Sequence, residues 1–214
     1  MALRKRVRHV IGIGVVAVAM VVVATSPAAA DPFEPSSWTV VPGGPYSVSG
    51  PVQFGVAASF LMTCDSAMSG TFTSGPGVTN PLGTVETLGF SNCTGGPLGD
   101  VTATVNEPPY DIIGSTYDQY AEGVSGVPET TGYIGHFGLH ISMTVCEFDL
   151  VGNVPFTFDN DTGDWRVGGE GPLPAGVAAL HVINVSGCLG LVNDGDPGVY
   201  LAGYLLNQMI TGQP

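Results

Sequence analysis

Beyond residue 30 the sequence contains no lysine and a single arginine, Arg166. All 18 acidic residues lie at or after Asp31, so residues 31–214 carry a formal charge of 1 − 18 = −17. Nucleic acids and anionic membranes are bound through clustered Lys and Arg side chains, and Schiff-base chemistry needs a lysine. We therefore expect no nucleic-acid partner, no attraction to anionic lipid and no lysine-dependent catalysis. Like charge keeps the remaining surface soluble.

The sequence also lacks the short motifs of common active sites and metal sites. It has no Gly-x-Ser-x-Gly nucleophile elbow, and its cysteines form neither a C-x-x-C nor a C-x-x-H pair. We therefore predict no catalytic residue, no cofactor and no metal. A dispersed Ser–His–Asp site stays open, because its members are brought together only by the fold.

The first thirty residues are typical of a secretory signal peptide. Four basic residues precede an apolar run of 15 residues at 10–24, and a small-residue segment ends at Ala30. The run is shorter than the about 20 residues that span a bilayer. We predict a signal peptide at 1–30 and a secreted or cell-wall-associated protein with no membrane span after cleavage. An uncleaved N-terminal anchor is the alternative.

Four cysteines follow the leader: Cys64, Cys93, Cys146 and Cys188. An even number of cysteines in an oxidising compartment predicts two disulfides, with three connectivities allowed. We favour 64–93 and 146–188, because each bridge then closes one of two similar segments. No thiol nucleophile remains when all four are bonded.

Thr- and Val-rich runs between Gly and Pro turns predict an all-β fold. Residues 101–105 alternate with the period of two expected of a half-buried strand. Residues 200–209 fit either a helix or a terminal strand, and we prefer a strand. We predict a single all-β domain at 31–214, an antiparallel sandwich or barrel of about a dozen strands.

Individual segments carry more specific predictions. We expect a first strand at 37–41, a single long strand at 135–150 and a hairpin turn at 161–164. Residues 177–185 are strongly apolar, which predicts a strand covered on both faces.

The two cysteine-bounded segments resemble each other. Phe90-Ser-Asn-Cys-Thr-Gly95 aligns with Val185-Ser-Gly-Cys-Leu-Gly190. The pattern indicates an internal duplication, 51–105 and 133–208, joined by a crossover at 106–132. The alternative is that a glycine-rich β-protein reuses the same turn residues.

Three histidines beyond the leader were considered as ligands. His136 and His140 are four residues apart, about 13 Å on a strand, which is too far for one metal ion. We interpret them as surface or packed imidazoles, and His181 as a core histidine with its hydrogen bonds satisfied. Glu147 and Asp149 share one strand face about 6–7 Å apart. They form a carboxylate pair of glycosidase type or, as we favour, a solvated face.

Clustered acids and amides suggest further surface sites. The acids Asp159, Asp161 and Asp164, and the pair Asp194 and Asp196, resemble calcium loops but lack the twelfth-position Glu. Turn chemistry explains both groups, and weak surface calcium stays open. The sequence also contains three glycosylation sequons, which would be inert in a bacterial protein. Their asparagines are Asn92, Asn160 and Asn184.

Three segments resemble a group of secreted actinobacterial proteins of unassigned function. They are Trp38-Thr-Val-Val-Pro-Gly-Gly44, Phe90-Ser-Asn-Cys-Thr-Gly95 and His181-Val-Ile-Asn-Val-Ser-Gly-Cys188. The resemblance implies an exported β-domain and no particular activity. The Tyr- and Asp-rich segment 110–122 departs from that group, and specificity could lie there.

These observations favour a non-enzymatic structural or interaction module outside the cell. Its partner would be an unidentified protein, the cell envelope or a second copy of the chain. The first alternative is a carbohydrate- or lipid-binding domain with Trp38, Trp165 or residues 110–120 lining the site. The second is a hydrolase with a dispersed Ser/His/Asp site. A filled interior would favour the interaction module, and an aromatic pocket would favour the ligand-binding domain. A converged Ser/His/Asp triad would favour the hydrolase.

Overall fold

The computed structural model describes residues 32–57, 59–119, 128–169 and 171–214. These residues form thirteen strands and no helix, which confirms the all-β prediction. The strands are β1 (Ser37–Val41), β2 (Gly44–Val56), β3 (Phe60–Phe72), β4 (Gly75–Val78), β5 (Gly83–Thr94), β6 (Thr102–Val105), β7 (Tyr110–Asp118), β8 (Glu129–Met143), β9 (Cys146–Asp159), β10 (Asp164–Gly168), β11 (His181–Ser186), β12 (Gly198–Leu205) and β13 (Met209–Gln213).

Eight of the strands close into an antiparallel barrel. Their order is β2-β3-β5-β7-β8-β9-β10-β12, and β12 pairs back with β2. Of the two predicted architectures, the barrel is therefore the observed one. Closure gives both edges of every barrel strand a partner, although short strands pair over only part of their neighbours' length.

Halfway along the β8–β9 hairpin, both β8 and β9 change the neighbouring strand with which they pair. The first half of β8 pairs with β7, whereas residues 139–142 pair with β6. Likewise β9 pairs with β10 at 156–158 and with β11 at 147–151. Two short strands thus stand end to end on each side of the hairpin, and each junction leaves a break in the wall.

Aromatic side chains fill the interior. Trp165 has four ring neighbours within 6.2 Å between centroids: Tyr46, Phe72, Phe156 and Tyr204. Further along the barrel the Tyr200 ring packs on Phe54 and Phe137. The buried hydroxyl of Ser66 lies 2.8 Å from the Tyr204 hydroxyl and donates to the Gly50 carbonyl at 2.8 Å. The described part of the barrel interior is therefore filled by packed side chains.

A three-stranded sheet, β13-β1-β4, packs against the barrel. Trp38 of β1 is 2 % exposed, and its ring lies over Gly114 of β7, where a side chain would collide with it. Asn160 Oδ1 accepts the Ile210 N–H at 2.6 Å, and the Thr130 hydroxyl donates to the Ile210 carbonyl. These buried hydrogen bonds fasten β13 to β8 and to the end of β9.

The two disulfides have the favoured pairing. Cys64–Cys93 joins the neighbouring strands β3 and β5, with Cα atoms 4.1 Å apart. Cys146–Cys188 joins the start of β9 to the loop after β11, with Cα atoms 4.4 Å apart. None of the cysteines that the structure describes is free.

Several local predictions are confirmed. The first strand is Ser37–Val41, and the turn between β9 and β10 falls at the predicted hairpin. Residues 200–209 are strand and not helix, although β12 ends at Leu205 and β13 begins at Met209. The crossover segment contributes barrel strand β7, while 120–127 lie outside the described residues, as does the leader. No helix in the described part of the chain is long and apolar enough to cross a membrane. The proposed duplication stays a prediction.

Two strand predictions are wrong. The expected strand at 135–150 is two strands, because the chain reverses at Thr144 and Val145. Residues 177–185 do not form a doubly covered strand. Regular pairing begins at His181, and β11 is an edge strand in which Val182 alone is buried. Hydrophobicity alone does not locate a two-residue reversal or distinguish an edge from a centre strand.

Candidate functional site

One depression on the barrel lies where its wall changes strand. We call it the histidine groove, a cavity of about 420 Å³ lined by Asn106, Glu107, His136, Val151, Asn153 and His181 with the 137–138 and 152 backbone. Asn106 and Glu107 come from the β6–β7 junction, and His181 begins β11. The two breaks in the wall therefore face each other across the β8–β9 hairpin and form opposite sides of the groove.

A bulge in β8 places His136 in the groove. Ile134 pairs with Val154 and Phe137 pairs with Gly152, so two residues of β8 stand opposite Asn153 alone. His136 has φ of 55° and is exposed, and its N–H donates to Asn153 Oδ1 at 3.3 Å. A bulge of this kind turns a side chain out of the regular pleat, and positive φ at a non-glycine residue is strained.

Two smaller depressions adjoin the groove. We call the first the tyrosine pocket; it measures about 210 Å³ and is lined by Asp111, Tyr133, His136, Asn153 and residues 176–178. It shares His136 and Asn153 with the groove, so the two form one elongated depression. The second, about 350 Å³, lies at the end of β10 and is lined mainly by glycines, small apolar residues and Tyr200.

A hydrogen-bonded network centred on Asp149 borders the groove. His140 Nδ1 donates to Asp149 Oδ1 at 2.8 Å, because an ionised carboxylate only accepts. Asn184 Nδ2 donates to Asp149 Oδ2 at 2.7 Å, and Asn106 Nδ2 lies 3.5 Å from Oδ1. One carboxylate therefore connects β8 and β9 with the ends of the two strands that flank them.

The hydrogen bonds of this network counteract the effect of burial on the pKa of Asp149. Partial burial acts to raise the pKa of Asp149, but the hydrogen bonds from Asn184, His140 and Asn106 outweigh it and leave the pKa below its ordinary value. Asp149 is therefore ionised at neutral pH and holds the His140 proton on Nδ1. The Nε2 atom of neutral His140 then carries the free lone pair.

Buried Tyr110 supports the other side of the groove. Its hydroxyl lies 2.6 Å from the Asn106 carbonyl and 2.7 Å from the Gly138 carbonyl. Burial raises the pKa of Tyr110 to about 12 despite these two hydrogen bonds, so the hydroxyl keeps its proton and donates. A Cβ atom at Gly138 would lie 3.1 Å from the Asn106 Cβ, which explains the glycine at this close approach.

The histidine predictions are partly wrong. His181 is not a core residue: it is half-buried, and its Nδ1 donates to the Ala179 carbonyl at 3.0 Å. His136 and His140 lie on the outer face, as expected, but His140 forms a specific pair with Asp149. Within the described residues, no three His, Cys, Asp or Glu side chains are placed to hold a metal ion.

The acidic predictions have mixed outcomes. Glu147 and Asp149 do share the outer face of β9. Asp149, however, is hydrogen-bonded to His140 and is not simply a solvated carboxylate. Asp159 Oδ1 accepts the N–H groups of Asp161 and Thr162, and Asp196 Oδ2 accepts that of Asn193. Those acids have the turn roles that were favoured over calcium binding.

Of the aromatic residues predicted to line a ligand site, those that the structure describes are in the core, and Tyr120 lies outside the described residues. Trp38, Trp165 and Tyr110 are each at most 2 % exposed. Asn160 of the second sequon is also buried and bonded, so a glycan could not be attached there. The prediction missed the His140–Asp149 pair because it treated 135–150 as one strand. A turn at 144–145 places positions 140 and 149 opposite each other.

Comparison with protein-family models, with curated proteins and with solved structures finds no match for this chain. Its function is therefore argued from the site itself.

Proposed function

We propose that the protein is an exported, non-enzymatic interaction module that acts at the cell surface or in the extracellular medium. The observation that carries the proposal is the filled barrel, whose interior is packed with aromatic and aliphatic side chains. The two disulfides are consistent with an extracellular location. The signal-like leader and the resemblance to secreted actinobacterial proteins support export.

A hydrolase is the less favoured reading. His140 and Asp149 have the geometry of a base and its orienting carboxylate, with Nδ1 and Oδ1 2.8 Å apart. A triad also needs a serine hydroxyl on Nε2, and no serine among the described residues hydrogen-bonds to this imidazole. Asp149 instead has Asn184 and Asn106 as further partners, which is typical of a network that connects strands.

Export and reactivity are tested together. The full gene with its leader is expressed, and unreduced protein from cells, wall and medium is measured by mass spectrometry. We expect chains beginning at Asp31 with two bridges in the wall or medium fraction. We also expect no turnover of chromogenic esters, amides or glycosides. Retention inside the cell, or turnover that His140→Ala removes, would contradict the proposal.

Self-association is a specific form of this proposal. The three-stranded sheet ends in β13 and β4. Within the described chain β4 is paired on one side only, whereas Ile210 of β13 is also bonded to Asn160 and Thr130. Leu189, which is 81 % exposed, and Val145, which is 52 % exposed, lie beside the Cys146–Cys188 bridge. Light scattering across a range of protein concentrations measures this directly, and Leu189→Ser should lower any dimer fraction. A molar mass that does not change with protein concentration would contradict self-association and favour a different protein as the partner.

The second candidate function is ligand binding, and the histidine groove is the observation that favours it. The groove is a concavity in which several polar side chains converge among apolar groups, which is typical of small-ligand sites. An internal lipid or sugar site has no such support, because the core is packed.

A further inference from the structure

The elongated depression formed by the histidine groove and the tyrosine pocket has the shape and chemistry of a binding site. Its two parts meet at His136 and Asn153. We infer that it binds a neutral saccharide chain of the cell envelope, with one sugar ring in each part. This inference rests on the proposed interaction function and supplies its partner.

Three polar groups of the depression can accept hydrogen bonds from a ligand. His181 donates its Nδ1 proton to Ala179, so its Nε2 atom accepts when the ring is neutral. The carboxylates of Glu107 and Asp111 also accept. Sugar hydroxyls are numerous donors, so a saccharide satisfies these groups.

Apolar groups also line the depression. Val151 and Gly138 line the groove, and the half-buried Tyr133 lines the tyrosine pocket. The carbon face of a sugar ring packs on surfaces of this kind, and an aromatic ring is a suitable partner.

The charge of the chain excludes an anionic ligand at neutral pH. No Lys or Arg lines either part of the depression. Arg166 lines a separate depression with Gln53 and Leu201. An anionic polymer would face Glu107 and Asp111 with no compensating cation, which disfavours it relative to a neutral chain.

The walls of the depression are held in place before any ligand arrives. Tyr110 holds the Asn106 backbone, and Asp149 connects Asn106, His140 and Asn184. Glu107 and His136 have φ of 51° and 55°, conformations that persist only where the surrounding structure imposes them. A preformed site loses less entropy on binding.

The test is a nuclear magnetic resonance titration of the ¹⁵N-labelled full chain with both disulfides closed. The neutral probes are cellohexaose, mannohexaose and chitohexaose; the charged probes are hexagalacturonate and hexalysine. At least one neutral probe should shift the amide signals of residues 106–107, 135–138 and 151–153, with a dissociation constant in about the micromolar-to-millimolar range. Hexagalacturonate should leave them unchanged.

Matched variants locate the site. Val151→Trp fills the groove and should weaken binding at least tenfold. Leu201→Trp, on the outer face of β12 in a different depression, should change it less than twofold. Tyr133→Ala tests the second part and should also weaken binding several-fold. Preserved spectral dispersion shows that each variant is folded.

Three results would overturn the inference. They are no shift with any neutral probe at millimolar concentration, shifts of the same amides by hexalysine alone, and equal affinity for the wild type, Val151→Trp and Tyr133→Ala. The proposed function is judged separately, by export and by the lack of turnover. If the Val151→Trp protein still sediments with isolated cell wall, the proposed interaction function stands and the saccharide site in the groove is wrong.

Discussion

At the residue scale, Asp149 is the side chain on which the outer network depends. Its two oxygens accept hydrogen bonds from His140 of β8 and from Asn184 of β11, and Asn106 Nδ2 lies 3.5 Å from Oδ1. Both flanking strands are short: β6 pairs with β8 at 102–105, and β11 pairs with β9 at 181–186. The carboxylate therefore stabilises the region where the wall is interrupted.

We expect Asp149→Ala to lower the free energy of unfolding by about 1–3 kcal/mol, since three partners lose their acceptor. Urea denaturation at neutral pH measures it. Glu147→Ala is the matched control, because Glu147 lies two residues away on the same face and is exposed; its effect should stay within about 0.5 kcal/mol. Equal effects would show that the network does not contribute.

Asp149 and Glu129 respond to pH in opposite ways. The folded-state pKa of Asp149 is lowered, so its stabilisation is present above the unfolded-state pKa and is lost as pH falls through the folded-state pKa. Burial raises the pKa of Glu129; Arg166 lowers it, and Asp118 and Asp159 raise it further. Ionised Glu129 therefore costs stability at neutral pH.

Glu129→Gln should raise the urea midpoint at pH 7, because it removes a half-buried charge that pairs across the sheet with two other acids. The gain should vanish at about pH 3, where the native glutamate is neutral. Urea curves at both pH values measure it. Glu34→Gln, at an exposed position, is the control. A gain that persists in acid would mean that charge is not the cause.

At the element scale, the Cys146–Cys188 bridge secures the edge strand β11. β11 pairs regularly only with β9, and the bridge joins the start of β9 to a residue just beyond the end of β11. The histidine groove takes His181 from the same strand. Loss of this bridge should therefore loosen one wall of the groove.

The double variant Cys146→Ser/Cys188→Ser should lose about 3–4 kcal/mol of stability, because the bridge closes a loop of 42 residues. Amide hydrogen exchange should accelerate at 181–186. The matched double variant Cys64→Ser/Cys93→Ser removes a bridge across 29 residues and should accelerate exchange in β3 and β5 instead. Identical exchange patterns in the two variants would contradict a local role for the bridges.

At the scale of the whole molecule, the charge of residues 31–214 opposes the compact state. Eighteen acids and one arginine leave little attraction to offset repulsion among carboxylates. The packed aromatic core and the two bridges supply the compensating stability.

We therefore expect the melting temperature to rise when sodium chloride is increased from about 0.01 M to 0.15 M, since the Debye length falls from about 30 Å to 8 Å. Differential scanning fluorimetry measures the change. An uncharged osmolyte at equal osmolarity is the control and should raise it less. A melting temperature that is independent of salt would show that repulsion is unimportant.

The sequence by itself determined the all-β class and several turns, and it favoured the observed one of three possible disulfide pairings. Period-two alternation and Gly or Pro interruptions are local signals, so β1 and the β9–β10 turn were predictable at Ser37–Val41 and 161–164. Only the tertiary structure decided that the sheet closes into a barrel, that Trp38 and Trp165 lie in the core, and that His140 meets Asp149. Those outcomes depend on register between distant strands and on one reversal at 144–145, which hydrophobicity does not mark. The groove exists because two pairs of short strands end at the same level of the wall, and no single segment encodes that.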